Sequence, residues 1–577
     1  MSTDSLPQEL NCESSERPAK NNSRRDFLRV GAVATAAAAV YPALASARLV
    51  DSKLAPSVAE SSKKDDFKKG FELDEITIDG VQTAFQSGQY SSRSLTERYL
   101  ARIQEIDKAG PILNSVIEIN PDALQIAEAL DRERKAKGAR GPLHGIPILI
   151  KDNIDTGDRM STTAGSLALV GSRPQRDAFV AAQLRRAGAL ILGKTNLSEW
   201  ANIRSSHSTS GWSGRVGLTR NPYALDRNPC GSSSGTGAGV SANLCVVGVG
   251  TETDGSVVCP SSANGLVGLK PTVGLVSRSG IVPISHSQDT AGPMARTVRD
   301  VAILLSAMAG ADAEDSATAE IQHQHAGGKI FPDYTKFLDP AGLKGARLAV
   351  VRKYFGFSEA VDQLMETLIG EMRHAGAEVI DPADIPTIGK FDDSEMTVLL
   401  YELKADLAAY LARRGETSVG NPIKSLKDVI DFNERNHDRE MPFFGQDLFI
   451  KAEQKGPLSS KEYLDALAMN HRLSRAEGID FLMDKFKLDA LVAPTGGPAW
   501  VTDLINGDHS AGGSSNAAAV AGYPNINVTA GFLWGLPVGI SFFGRAWSEP
   551  TLLKIAYSFE QLTKARQKPR FLPTIDL

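Results

Sequence analysis

The chain reads as an α/β protein with helices on both faces of a mixed β-sheet, and two recurring patterns carry that reading. Short apolar runs with strand character occur at residues 145–150, 347–351, 490–493 and 538–543. Among them lie segments with helical spacing, of which Val361, Leu364, Met365, Leu368, Ile369 and Met372 is the clearest. Alternation of the two builds a layered α/β structure. At 577 residues size alone permits several domains, so organisation has to decide. There is no internal repeat and no clean boundary. Residues 312–340 are polar and irregular and form the one candidate break.

Taken in order, the first segment is an address. Ser23-Arg24-Arg25-Asp26-Phe27-Leu28-Arg29 precedes an alanine-rich apolar stretch over residues 30–47 that ends in Ala45-Ser46-Ala47. This arrangement resembles a twin-arginine export signal, which implies a signal peptide over residues 1–47, cleaved after Ala47, and a periplasmic or secreted protein that meets the export machinery transiently and keeps no stable membrane anchor. The alanine-rich stretch is weakly hydrophobic for a membrane span. Residues 48–70 are rich in Ser, Lys and Asp and read as a linker. The remaining domain is residues 71–577.

The formal charge is −5. Residues 1–47 hold five acids and five bases, so removing them leaves that balance unchanged. A mildly acidic chain without basic runs interleaved with aromatics is not a nucleic-acid binder. Of four cysteines, Cys12 goes with the signal, leaving Cys230, Cys245 and Cys259. Three is an odd number, and the expectation is reduced cysteines acting as small buried residues rather than a disulfide framework. No paired Cys/His spacing points to a metal, and no cofactor is expected.

The chemistry concentrates in residues 229–280, a tract rich in glycine and serine. It holds Ser232 within Cys230-Gly231-Ser232-Ser233-Ser234-Gly235 and Ser256 at the end of Thr251-Glu252-Thr253-Asp254-Gly255-Ser256. Glycines beside a serine let the backbone turn tightly and aim consecutive N–H groups at one point, as an acyl-transfer site requires. None of the nine histidines is placed by motif beside either serine, so another base is needed. The apolar run Gly145-Ile146-Pro147-Ile148-Leu149-Ile150 ends abruptly at Lys151-Asp152-Asn153. Desolvating a lysine there would lower a pKa of about 10.4 toward neutrality. Read alone, a lysine ending a strand is bland, and more often a solvated charge at a sheet edge than a functional group.

Two rival motifs fail on their surroundings. Gly231-Ser232-Ser233-Ser234-Gly235 fits the nucleophile elbow of α/β-hydrolases with Ser233 as nucleophile, yet residues 221–229 carry two prolines and no apolar alternation where the elbow needs a strand. Residues 188–195 match the phosphate-loop template, but their middle residues Ala189, Leu190, Ile191 and Leu192 favour a buried strand, placing Lys194 just past its end. A dinucleotide loop fails as well, because Gly248-Val249-Gly250 is followed by Thr251-Glu252-Thr253.

The strand ending in Lys151-Asp152-Asn153, the segment from Gly231 to Gly235, the hexapeptide from Thr251 to Ser256 and Gly265-Leu266-Val267-Gly268-Leu269-Lys270-Pro271-Thr272, in that order, resemble the amidase signature family of serine hydrolases. Residues 193–202 and 285–293 bring the likeness nearest to its peptide amidase branch. The resemblance implies one large mixed sheet between helices in a single catalytic domain, shared by the chain on both sides of residues 312–340. It implies Ser256 as the acylated nucleophile, Ser232 as a bridging serine held by a cis peptide bond, Lys151 as the base, and the N–H groups of Thr253, Asp254, Gly255 and Ser256 as the oxyanion hole. Many family members have Gly-Gly-Ser-Ser-Gly-Gly where this chain has Cys230 to Gly235, and Ser233 and Ser234 are expected to satisfy backbone groups in a tight loop. The implied reaction is hydrolysis of a carboxamide, at the C-terminus of a peptide or on an amino acid, to acid and ammonia. The alternatives are a broader aryl or aliphatic amidase and the A-type component of an amidotransferase. Trp200, Trp212, Trp500 and Tyr523 either line the acyl side or belong to the core.

Overall fold

A computed structural model describes residues 70–323, 330–414 and 423–575. The signal and nearly all of the linker expected for residues 1–70 lie outside this range. Thirteen strands are present among the described residues: β1 (Val116–Ile119), β2 (Pro147–Lys151), β3 (Leu190–Thr195), β4 (Trp212–Ser213), β5 (Gly217–Leu218), β6 (Val247–Glu252), β7 (Val267–Lys270), β8 (Thr290–Ala295), β9 (Arg347–Val350), β10 (Glu378–Ile380), β11 (Ala490–Pro494), β12 (Asn525–Leu533) and β13 (Leu536–Phe543). Apart from the β4–β5 pair they form a single sheet in the order β1-β3-β2-β6-β8-β7-β12-β13-β11-β9-β10. The sheet is mixed: β3, β2 and β6 run parallel, β8 is antiparallel to β6 and β7, and β11, β9 and β10 are parallel again.

The expected strands at residues 347–351, 490–493 and 538–543 all appear with ends shifted by a residue or two, and the helical spacing at 361–372 lies inside the helix Glu359–His374. That helix buries Val361, Met365, Leu368, Ile369 and Met372, one apolar stripe at a period near 3.6 residues. Central strands are covered on both faces and are therefore apolar throughout rather than alternating. In β2, Ile148, Leu149 and Ile150 are wholly buried. β8 and β9 flank residues 312–340 and belong to the same sheet, so the polar break divides no domain.

The phosphate-loop match is explained by β3, and one detail differs from expectation. Lys194 lies within the strand rather than past its end, fully buried, with Nζ donating to the Ile154 carbonyl and to Thr162 Oγ1. The elbow match has no strand before it; a loop leads directly into the helix Ser234–Ser241.

What the topology does for function is specific. β2 and β6 are parallel neighbours, with Ile148 opposite Val247 and Ile150 opposite Val249, so their carboxyl ends finish side by side. Lys151 closes one strand and Thr251-Glu252 the other. In open α/β sheets ligands bind beyond the carboxyl ends of the strands.

Candidate active site

Lys151 is completely buried. Its Nζ lies 2.7 Å from Ser232 Oγ and donates to Thr251 Oγ1 at 2.9 Å and to the Thr251 carbonyl at 3.3 Å. Burial pushes its pKa down to about 7, against the opposing fields of Asp289 and Glu252. At neutral pH a large fraction of this amine is therefore uncharged and able to accept a proton.

Ser232 follows a cis Gly231–Ser232 peptide bond and is 1% exposed. A side chain on Gly231 would run into the side chains of Ser198 and Ser210, so the glycine lets the loop pass close to both. The adjacent serines are occupied elsewhere. Ser233 Oγ donates to the Thr251 carbonyl at 3.0 Å and accepts from the Thr251 N–H at 3.2 Å, and Ser234 Oγ donates to the Cys230 carbonyl at 2.6 Å. They satisfy backbone groups, as expected.

Ser256 sits on the turn after β6. Gly255 adopts φ +75° there, a left-handed conformation that disfavours residues with a Cβ. The turn is clamped from beneath by the buried carboxylate of Glu252, which accepts from the N–H groups of Gly255 (2.9 Å), Val257 (2.8 Å) and Val258 (3.0 Å). This corrects one expectation: the Gly255 N–H is directed to Glu252 and is not available as an oxyanion donor. The N–H groups of Thr253, Asp254 and Ser256 have no acceptor among the described residues. Ser232 and Ser256 share no side-chain hydrogen bond among these residues; their loops meet through the Ser233 N–H, which donates to the Ser256 carbonyl at 3.2 Å.

A second correction concerns the cysteines. Cys230 and Cys259 form a disulfide, with Cα atoms 6.0 Å apart, and only Cys245 is free and buried among the described residues. The odd count concealed the pair, because the third cysteine belongs to the core and the partners, 29 residues apart, meet only once the fold forms.

Groups that motif reading passed over complete the site. Thr253 Oγ1 donates to Asp289 Oδ1 at 2.6 Å, and the other Asp289 oxygen accepts from the Ile284 and Ser285 N–H groups. Burial raises the Asp289 carboxyl to about 6. Asn516 Nδ2 bridges Asp254 Oδ2 (3.3 Å) and Glu395 Oε2 (2.6 Å), and Gln288 Nε2 donates to Glu395 Oε1 at 2.9 Å. Asp289 and Gln288 lie in residues 285–293, singled out for family likeness; their acidic and amide side chains just before β8 were the available signal. A cavity of about 620 Å³ reaches Asn153, Thr251, Thr253 and Asp289, with Lys151, Ser232 and Ser256 outside its lining. His286, Glu402 and Asp406 come within 4.8 Å of one another, but Glu402 is saturated by Ser285, Ser287 and Tyr463, which leaves little for a metal.

The aromatic residues fall to the core reading. Trp200 packs edge-on against Phe449, Trp212 against Phe443 and Phe444, Trp500 joins the cluster around Tyr223 and Cys230, and Tyr523 donates its hydroxyl to Asp480 at 2.7 Å.

With this geometry in place, comparison with known proteins decides the family. The amidase family model matches residues 94–553. The chain belongs to the amidase family. The amidase is 49% identical to the native peptide amidase of Stenotrophomonas maltophilia, whose crystal structure superposes with a TM-score of 0.81 over 87% of this chain and 100% of that one. An Arabidopsis thaliana protein named as a probable amidase is 45% identical over 512 residues, 87% of this chain and 93% of its own length. The A-type component of the glutamyl-tRNA(Gln) amidotransferase of Halorhodospira halophila is 33% identical over 504 residues, 84% of this chain and 97% of its own. The amidase is thus an amide-hydrolysing enzyme on a large mixed sheet flanked by helices. Residues 21–40 match the twin-arginine signal sequence, which directs export across a membrane, and no helix among the described residues is long and apolar enough to cross one.

Proposed function

We propose that the enzyme hydrolyses the C-terminal carboxamide of peptides or amino acid amides through a relay of Lys151, Ser232 and Ser256. The observation that carries the relay is the 2.7 Å approach of a fully buried lysine amine to Ser232 Oγ. Neutral Lys151 draws a proton through Ser232 while Ser256 attacks the amide carbonyl. The developing oxyanion is met by the free N–H groups of Thr253, Asp254 and Ser256, each worth roughly 3 to 4 kcal/mol by analogy with single-donor removal in a hydrolase. The relay then returns its proton to the leaving nitrogen. Ammonia departs, and water repeats the sequence to free the acid.

The substrate class rests on the likeness to peptide amidase at 49% identity over that protein's whole length. An ammonia-release screen across peptide amides, amino acid amides, anilides and fatty amides tests it. Peptide amides lead on this reading, whereas faster turnover of anilides or fatty amides would replace it with a broad aryl or aliphatic amidase. Likeness to the amidotransferase component favours a second reading, and ammonia release by the purified chain alone excludes it. In the same proposal the signal is residues 1–47, the linker 48–70 and the catalytic domain 71–577, with the mature enzyme in the periplasm. N-terminal sequencing of the exported protein tests cleavage after Ala47.

A further inference from the structure

The two serine-bearing loops are tied together next to their serines. Cys230 stands two residues before Ser232 and Cys259 three after Ser256, and the two are joined by a disulfide. Asn264 reinforces the tie, its Nδ2 donating to the Pro229 carbonyl at 2.8 Å and to the Pro260 carbonyl at 2.7 Å. The third tie is the hydrogen bond from the Ser233 N–H to the Ser256 carbonyl. On its other side the cis-serine loop is pressed against Ser198. With no hydrogen bond between the hydroxyls of Ser232 and Ser256 among the described residues, their separation is set by these ties between the loops, and the covalent one is the stiffest.

From this we propose that the Cys230–Cys259 bridge is a positioning element of the proton relay, so that turnover depends on its thiol–disulfide state. The inference rests on reading Ser232 as the link between Lys151 and Ser256. Proton transfer and attack on the carbonyl tolerate little displacement, and a shift of about 1 Å can cost up to a hundredfold in rate. A general fold staple would act differently: its loss would lower stability without selecting the chemical step. The export signal at residues 21–40 agrees with a bridge that persists in an oxidising compartment. Cys259 is partly exposed, which gives a reductant access. A dithiol reductant gives up two electrons and two protons, the S–S bond breaks, both cysteine sulfurs become thiols and the reductant closes to its own cyclic disulfide.

The test uses the purified enzyme, a C-terminal peptide amide, and dithiothreitol, with thiol titration confirming two additional thiols. Activities are read below the melting transition of the reduced protein. Reduction is expected to lower kcat by about ten- to a hundredfold with KM nearly unchanged, reoxidation to restore it, and the C230S/C259S double variant to match the reduced enzyme and ignore the reductant. In the S232A background, where the relay is already broken, reduction should change the residual rate little, because residues of one unit are non-additive. Unchanged kcat on reduction overturns the proposal. So does an equal proportional loss in the S232A background, or the loss of any cooperative melt, since each makes the bridge a staple of the whole fold. S232A keeping wild-type kcat would instead sink the relay itself.

Discussion

Thr253 donates its hydroxyl to Asp289 at 2.6 Å, tying the turn that carries Ser256 to the loop before β8. The same carboxylate is a source of the field that favours the Lys151 ammonium. Asp289→Asn removes that field above pH 6, where the Asp289 carboxyl is largely ionised. The acid limb of kcat/KM should therefore move to lower pH, because the neutral amine persists further into acid. A pH–rate profile of the variant checks the direction.

Glu252 collects three backbone N–H groups under the turn that carries Ser256. In Glu252→Gln one oxygen becomes an NH2 that cannot accept, leaving at least one buried N–H without a partner. A stability loss of roughly 1 to 3 kcal/mol is expected, together with a fall in kcat larger than that in KM as the turn loosens. Urea unfolding and steady-state kinetics measure the two effects.

Ser232 and Ser233 are adjacent, both buried, and differently employed. Ser233→Ala deletes only its bonds to the Thr251 backbone and should leave kcat within a factor of a few while costing about 1 kcal/mol. Ser232→Ala should lose orders of magnitude in kcat. The reverse ranking would revive Ser233 as an elbow nucleophile.

Much of this was legible in the sequence, for identifiable reasons. The strands around Ile148 and Val538 and the helix through Met365 announce themselves because burial leaves a local trace, a continuous apolar run in the strands and a stripe near 3.6 residues in the helix. Lys151 was legible as a charge ending an apolar run. What escaped depends on tertiary proximity: the Cys230–Cys259 bridge, the Glu252 clamp that turns the Gly255 N–H away, and Asp289 meeting Thr253 where the neighbouring strands β6 and β8 end. Lys194 was misplaced by one element boundary, since a buried lysine satisfied by the Ile154 carbonyl and Thr162 has no one-dimensional signature.

Burying Lys151 opposes stability. Its pKa falls from 10.5 unfolded to about 7 folded, so between these values the unfolded chain binds more protons and stability rises with pH. Lys151→Met removes that term. The variant should melt above the wild type at pH 7, with the gap on the order of a few kcal/mol and narrowing as pH approaches 10. Paired melting curves across this window check it.

The central claim is that Lys151 acts as an uncharged amine through Ser232, and the pH dependence of kcat/KM on a neutral peptide amide tests it most directly. The account predicts an acid limb with an apparent pKa near 7, absent from Lys151→Ala, whose much smaller rate climbs with hydroxide instead. A wild-type profile flat from pH 5 to 8, or a Lys151→Ala enzyme retaining most of the activity at pH 7, would contradict it.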